Sequence, residues 1–112
     1  MKQAKKSQNL SLAELTRLAD LFRCFAEPTR LALLQELKSA PHSVGELVTA
    51  TAGTQANVSK QLKVLHQAGL ISRVREGSTV IYAIADPFVF DLCALACNKL
   101  NGDAQKIAQL AF

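Results

Sequence analysis

Between Thr54 and Gly69 the chain reads TQANVSKQLKVLHQAG, and its apolar positions fall at helical spacing. Val58, Leu62 and Leu65 form one stripe, while Gln55, Asn57, Ser59, Lys60 and Lys63 lie off it. No acid occurs in the stretch, so its formal charge is entirely positive. Thr54 is a suitable N-cap, and Gly69 stands where helices commonly end in a left-handed residue. The pattern predicts a short, bounded, basic rod.

Upstream, Ser11-Leu12-Ala13-Glu14 is a capping-box pattern. It opens a helix with Leu12, Leu15, Ala19 and Phe22 on one side and Leu18, Leu21 and Phe25 on a neighbouring one. An apolar surface that wide needs cover on two sides, so part of it is expected to face a second copy of the chain. Glu27-Pro28 breaks this helix, and Pro28 takes the first position of the next. That helix runs to about Lys38 with Leu31, Leu34 and Leu37 inward, and Ala40-Pro41-His42 ends it. Ser43-Val44-Gly45-Glu46 repeats the capping box and opens a short helix to about Ala50. Thr51-Ala52-Gly53 then turns into the basic rod. A short helix, a glycine-bearing turn and a longer helix make a helix-turn-helix, whose second helix enters the major groove.

After Gly69 the composition changes. Leu70 to Arg75 and Val80 to Ile84 are rich in β-branched residues, and Glu76-Gly77-Ser78-Thr79 between them is a glycine-bearing turn. Together they predict a β-hairpin beside the rod, a wing. Arg73 and Arg75 on its first strand either meet phosphate or the minor groove or keep an exposed strand soluble. Asp86-Pro87 opens a last long helix, which Asn101-Gly102 ends. Val89, Cys93, Ala96, Cys97 and Leu100 share one face of it, and Phe88, Leu92 and Leu95 share another. The fold expected is mostly α with a small β-hairpin, a winged helix-turn-helix of order α-α-α-α-β-β-α. The first and last helices are expected to form a two-fold homodimer interface, placing two reading helices about one DNA turn apart on a palindrome.

Domain organisation follows the same pattern. Residues 1–10 read as a flexible basic arm, 11–102 as the folded DNA-binding and dimerisation domain, and 103–112 as a tail. Ile107, Leu110 and Phe112 give the tail the makings of a helical turn or two. With 112 residues, 49% hydrophobic and 20% charged, the chain has room for a single modest core. Its net charge of +4 favours an acidic partner, though Lys2, Lys5 and Lys6 in the arm contribute much of the excess. No apolar run reaches membrane-spanning length and the polar N-terminus lacks a signal-peptide core, so a reducing cytoplasm is expected, with three free thiols. No acid, histidine or glycine-rich loop lies near a cysteine in the pattern that nucleophilic catalysis needs, so an enzyme is not expected. A protein-interaction module would explain the apolar helices but neither the basic rod nor the wing.

Ala26-Glu27-Pro28-Thr29-Arg30-Leu31-Ala32-Leu33-Leu34, then Val58-Ser59-Lys60-Gln61-Leu62-Lys63-Val64-Leu65 with Ala68-Gly69-Leu70, then Arg75-Glu76-Gly77 and Tyr82, occur in that order. The set resembles the winged helix-turn-helix repressors of the ArsR/SmtB family over about residues 15–100. The resemblance implies a homodimer that binds operator DNA when empty and leaves it when an effector, often a metal or metalloid ion, engages thiols or imidazoles. Several ligand motifs of that family are missing here. Its Cys-Val-Cys signature aligns with Ser43-Val44-Gly45. Its zinc site on the last helix would need acids and histidines where Phe88, Lys99 and Gly102 fall, only Asp86 matching. The first thiol of its persulfide sensors would fall near Gln35.

Cys24, Cys93 and Cys97 remain. Cys93 and Cys97 are four residues apart, so on a helix their sulfurs share a face and can share one soft ion. If the end of the first helix packs against the last, from either chain, Cys24 completes a trigonal pyramid of thiolates that suits trivalent arsenic or antimony. His42 and His66 belong to other elements, which disfavours ordinary Cys/His zinc. Free cysteines are also small hydrophobes that pack well, and both helical thiols lie on a packing face. The expectation is a repressor that holds a palindromic operator through Gln55, Asn57, Ser59, Lys60, Lys63, Arg73 and Arg75. As(III) or Sb(III), as effector and without any organic cofactor, would release it. A persulfide, another oxidant or another soft metal is the alternative signal.

Overall fold

The computed structural model describes residues 9–103 and 109–112. Most of the expected basic arm and the centre of the tail lie outside these residues. The chain forms α1 (Leu12–Arg23), α2 (Pro28–Ser39), β1 (His42–Ser43), α3 (Val44–Thr51), α4 (Gln55–Gln67), β2 (Ile71–Glu76), β3 (Thr79–Ile84) and α5 (Phe88–Asp103). The winged helix-turn-helix expected from the pattern is present, with one strand more than expected.

Local chemistry explains where the helices start. Ser11 Oγ accepts from the Glu14 amide at 3.1 Å while Glu14 Oε1 accepts from the Ser11 amide at 2.8 Å, a complete capping box. Ser43 and Glu46 repeat it at 3.2 and 2.9 Å. Thr54 caps α4 by accepting from the Asn57 amide. Glu27 caps α2 through the Arg30 amide, with Pro28 at the first helical position, where its missing N–H costs nothing.

The ends differ more from expectation. α1 stops at Arg23 rather than at Glu27-Pro28, because Cys24, Phe25 and Ala26 donate to carbonyls three residues back and tighten the chain into turns. In the turn between α3 and α4, Ala52 adopts the left-handed conformation at φ 54°. Gly53 serves another purpose: a Cβ there would meet Val58 Cγ2 at 3.1 Å, so glycine lets the turn lie close against α4. α5 continues through Asn101 and Gly102 to Asp103.

β2 and β3 pair antiparallel from Ile71↔Ile84 to Glu76↔Thr79, and the two-residue loop uses Gly77 at φ 65°, as hairpins of this length require. His42 and Ser43 add β1 to the far edge of β3 opposite Tyr82 and Ile81, giving a three-stranded sheet of order β1-β3-β2. The hairpin expected from sequence is present, and a third strand joins it. A strand of two residues has no periodicity to read, and only its partner's open edge makes it a strand.

The core lies between α2, α3, α4, the sheet and the start of α5. Leu34, Leu37, Val58, Leu62 and Leu65 are buried in it as their spacing predicts. Leu33 is fully buried as well, and Leu31, assigned inward from sequence, is only partly so. α1 buries no residue fully: Leu12 is 79% exposed and Phe22 51%. Leu95 on α5 is 66% exposed.

Candidate nucleic-acid interface and thiol cleft

The helix-turn-helix presents α4 with its apolar stripe down and its polar positions out. Gln55, Asn57, Ser59, Lys60 and Lys63 are all exposed, while Val58, Leu62 and Leu65 anchor the helix in the core. No acid lies on the helix to oppose a phosphate backbone. The wing carries Arg73 and Arg75 on alternate positions of β2, hence on one face of the strand. Arg73 Nε donates to the Tyr82 hydroxyl at 3.3 Å across the hairpin. It lines, with Lys63, His66, Gln67 and Tyr82, a cleft of about 370 Å³ between the reading helix and the wing. Lys63 and Arg73, assigned from separate elements, thus share one basic cleft. Arg75 lies two pairs nearer the tip, opposite Val80.

Beneath this surface lies a chain of hydrogen bonds that sequence reasoning passed over. Arg30 Nε and Nη2 donate to the carbonyls of Cys24 and Arg23 at 2.9 and 2.8 Å, which fixes the guanidinium on the C-terminal end of α1. Its Nη1 donates to Gln61 Oε1 at 2.6 Å, and Gln61 Nε2 donates to Asn57 Oδ1 at 3.0 Å. Gln61 is 7% exposed, the buried polar side chain of α4. A signal existed: Gln61 lies three residues after Val58 and four before Leu65, on the buried side of the stripe. A polar residue there must find a buried partner.

The thiols divide. Cys93 is buried and Cys97 half-buried one turn later on α5. Both line a cleft of about 350 Å³ with Leu31 and Gln35 of α2, Leu100 of α5, and Leu110 and Phe112 of the tail. Asn101 holds the tail there, donating from Nδ2 to the Leu110 carbonyl at 2.8 Å and accepting from its amide. Lys38 Nζ sits 5.4 Å above the Phe112 ring. Burial pushes the Cys93 thiol up, and a charge on Cys97 would add to the effect. Cys24 is not part of this cleft: its Sγ donates to the Asp20 carbonyl at 3.5 Å. Among the described residues, no three His, Cys, Asp or Glu side chains are grouped to hold a metal. One protomer therefore brings Cys93 and Cys97 into one cleft and leaves Cys24 apart. His42 sits in β1 with Nδ1 3.3 Å from Glu46 Oε1, and His66 is exposed on the basic cleft.

Comparison with known proteins places this geometry. A helix-turn-helix domain profile matches residues 25–74. The transcriptional repressor SmtB of Mycobacterium tuberculosis is 38% identical over 90 residues, covering 80% of this chain and 67% of SmtB. The crystal structure of AntR, an antimony-specific transcriptional repressor, superposes with a TM-score of 0.73 at 29% identity, over 94% of this chain and 96% of AntR. The homodimeric winged helix-turn-helix domain of Mb0332 from Mycobacterium bovis, solved by NMR, gives 0.69 at 30% identity, over 83% and 84%. With the fold, the basic reading helix and these relatives in agreement, the chain belongs to the ArsR/SmtB family of winged helix-turn-helix transcriptional repressors.

Proposed function

We propose that the protein is a homodimeric repressor whose release from a palindromic operator is triggered by a thiol-reactive effector, trivalent arsenic or antimony in the first instance. The observation that carries this reading is the pairing of Cys93 and Cys97 in one cleft that also takes in the exposed Leu100 of α5. Two soft sulfurs select soft ions over magnesium or calcium. The third thiolate of a trigonal site is Cys24, brought from the turn that follows α1 in the partner, since within one protomer it stands outside the cleft. AntR supports the choice of ion and Mb0332 the homodimer. Gln55, Asn57, Ser59, Lys60 and Lys63 contact bases and phosphates, and Arg73 and Arg75 the backbone beside them. Residues 11–102 form the working unit, with 1–10 as a basic arm and 103–112 as a tail, of which Leu110 and Phe112 line the thiol cleft. The site of action is the cytoplasm, where thiols stay reduced.

The release works through differential affinity. The ion binds the dimer shape that its thiolates can reach, and a coupling of a few kcal/mol between that shape and the operator-bound one vacates the DNA. Titration of arsenite and antimonite into the operator complex tests this. Wild type is expected to dissociate, the double variant Cys93→Ser/Cys97→Ser to stay bound, and Cys24→Ser to need more ion. Equal release from wild type and the double variant overturns the proposal. A persulfide donor run in parallel identifies an oxidant signal, if wild type answers it and ignores the ions.

A further inference from the structure

We infer that Arg30 and Gln61 set the direction in which the Asn57 carboxamide faces, and thereby which base edge the first turn of α4 selects. The inference rests on the proposed placement of α4 in the major groove. Asn57 is the third residue of α4, in the first turn, where helices of this kind contact bases. Its side chain is exposed, yet its orientation is decided from below.

A carboxamide has a donating end and an accepting end, and either can face a neighbouring amide. A guanidinium has donors only. Arg30 is held on the carbonyls of Arg23 and Cys24, and its Nη1 can meet Gln61 in one way, by donating to Oε1 at 2.6 Å. That turns Gln61 Nε2 toward Asn57, and the amide nitrogen can only donate. Asn57 must therefore present Oδ1 inward, where it accepts at 3.0 Å, and Nδ2 outward. The polarity of the whole series is imposed by its one end that cannot accept.

The consequence for recognition is specific. An asparagine free to turn pairs both ends of its amide with adenine, accepting from N6 and donating to N7. Asn57 offers donors, so it favours the acceptor-rich edge of guanine or the O4 of thymine. Gln61→Glu should invert this without losing the buried contact. The new carboxylate pairs with the Arg30 guanidinium and accepts with its other oxygen, so Asn57 has to donate inward and turn Oδ1 outward. An outward acceptor selects the N4 of cytosine or the N6 of adenine.

The experiment is selection from a randomised operator library with the full-length protein, read as base frequencies at each position. Wild type is expected to choose guanine or thymine at one position per half-site, and Asn57→Ala to lose that choice by roughly tenfold there alone. Gln61→Glu is expected to move the choice to cytosine or adenine at the same position. If Gln61→Glu keeps the wild-type choice, or Asn57→Ala alters no position, the inference is overturned while sequence-specific binding stands. If wild type selects no sequence at all, the proposed function itself fails. Should Gln61→Glu not fold, side-chain amide exchange in free wild type decides: the Gln61 carboxamide is expected to exchange slowly and that of Asn57 at the rate of an exposed group. The reverse order overturns the inference.

Discussion

At the scale of single residues, Cys93 carries a pH dependence whose sign follows from its surroundings. Burial disfavours the thiolate, first through lost hydration and then through repulsion from a charged Cys97, so the folded-state value lies above the unfolded one. Between the two, the unfolded chain has lost a proton that the folded chain keeps. Stability from this group is full below the ordinary cysteine range and is lost as pH rises through the folded value. Urea midpoints of wild type should therefore fall faster with alkalinity than those of Cys93→Ser; parallel lines would contradict the burial argument. Ion capture runs the other way, because each thiolate ligand must first release its proton. The thiol pair itself was legible from spacing alone. Arg30 and Gln61 were not assigned a role, since their contact joins positions 31 residues apart in the chain. Only packing reveals that one completes the other.

At the scale of elements, the starts of helices were the most readable features, because a cap involves residues three apart and nothing else. Ser11, Ser43 and Thr54 all cap as their patterns indicate. β1 was unreadable for the opposite reason, being defined wholly by Tyr82 and Ile81 across the sheet. The two capping boxes, identical in chemistry, should differ in consequence. Ser43 lies at the junction of β1 and α3, and α3 buries Leu47 in the core. Ser43→Ala should thus lower the global unfolding free energy by ~1 kcal/mol. The Glu46 carboxyl is held below its usual range chiefly by the Ser43 backbone amide and next by the His42 contact, both of which Ser43→Ala keeps. That stabilising contribution is present above the unfolded carboxylate value and disappears as pH falls through the lower folded one. α1 buries no residue fully in its own protomer, so Ser11→Ala should leave the core midpoint nearly unchanged and raise amide exchange within α1. Equal loss of midpoint in both variants would show that α1 is cooperative with the core.

At the scale of the whole molecule, the apolar residues left uncovered are the main unfinished business of the fold. Leu12, Leu15, Leu18 and Phe22 on α1, and Leu95 and Leu100 on α5, are large and exposed. Covering one such side chain fully contributes about 1.5–3 kcal/mol, so several together can offset the association cost of roughly 4–15 kcal/mol. A charge placed among them must be desolvated in the dimer and stays in water in the monomer. Leu15→Glu/Leu95→Glu should therefore shift the protein to a monomer in sedimentation, with the core of each protomer intact because neither residue belongs to it. Operator affinity should then fall steeply, since one reading head replaces two. The salt dependence is the sharper signature: the slope of log affinity against log salt tracks the number of phosphates neutralised, and a lone head should show about half the wild-type slope. A merely unfolded variant would lose its helical circular dichroism along with binding. A folded monomer with the full wild-type slope would show that a single head makes all the phosphate contacts, whereas a variant that stays dimeric would move the interface away from α1 and α5. It would take with it the route by which Cys24 of one copy reaches the thiols of the other.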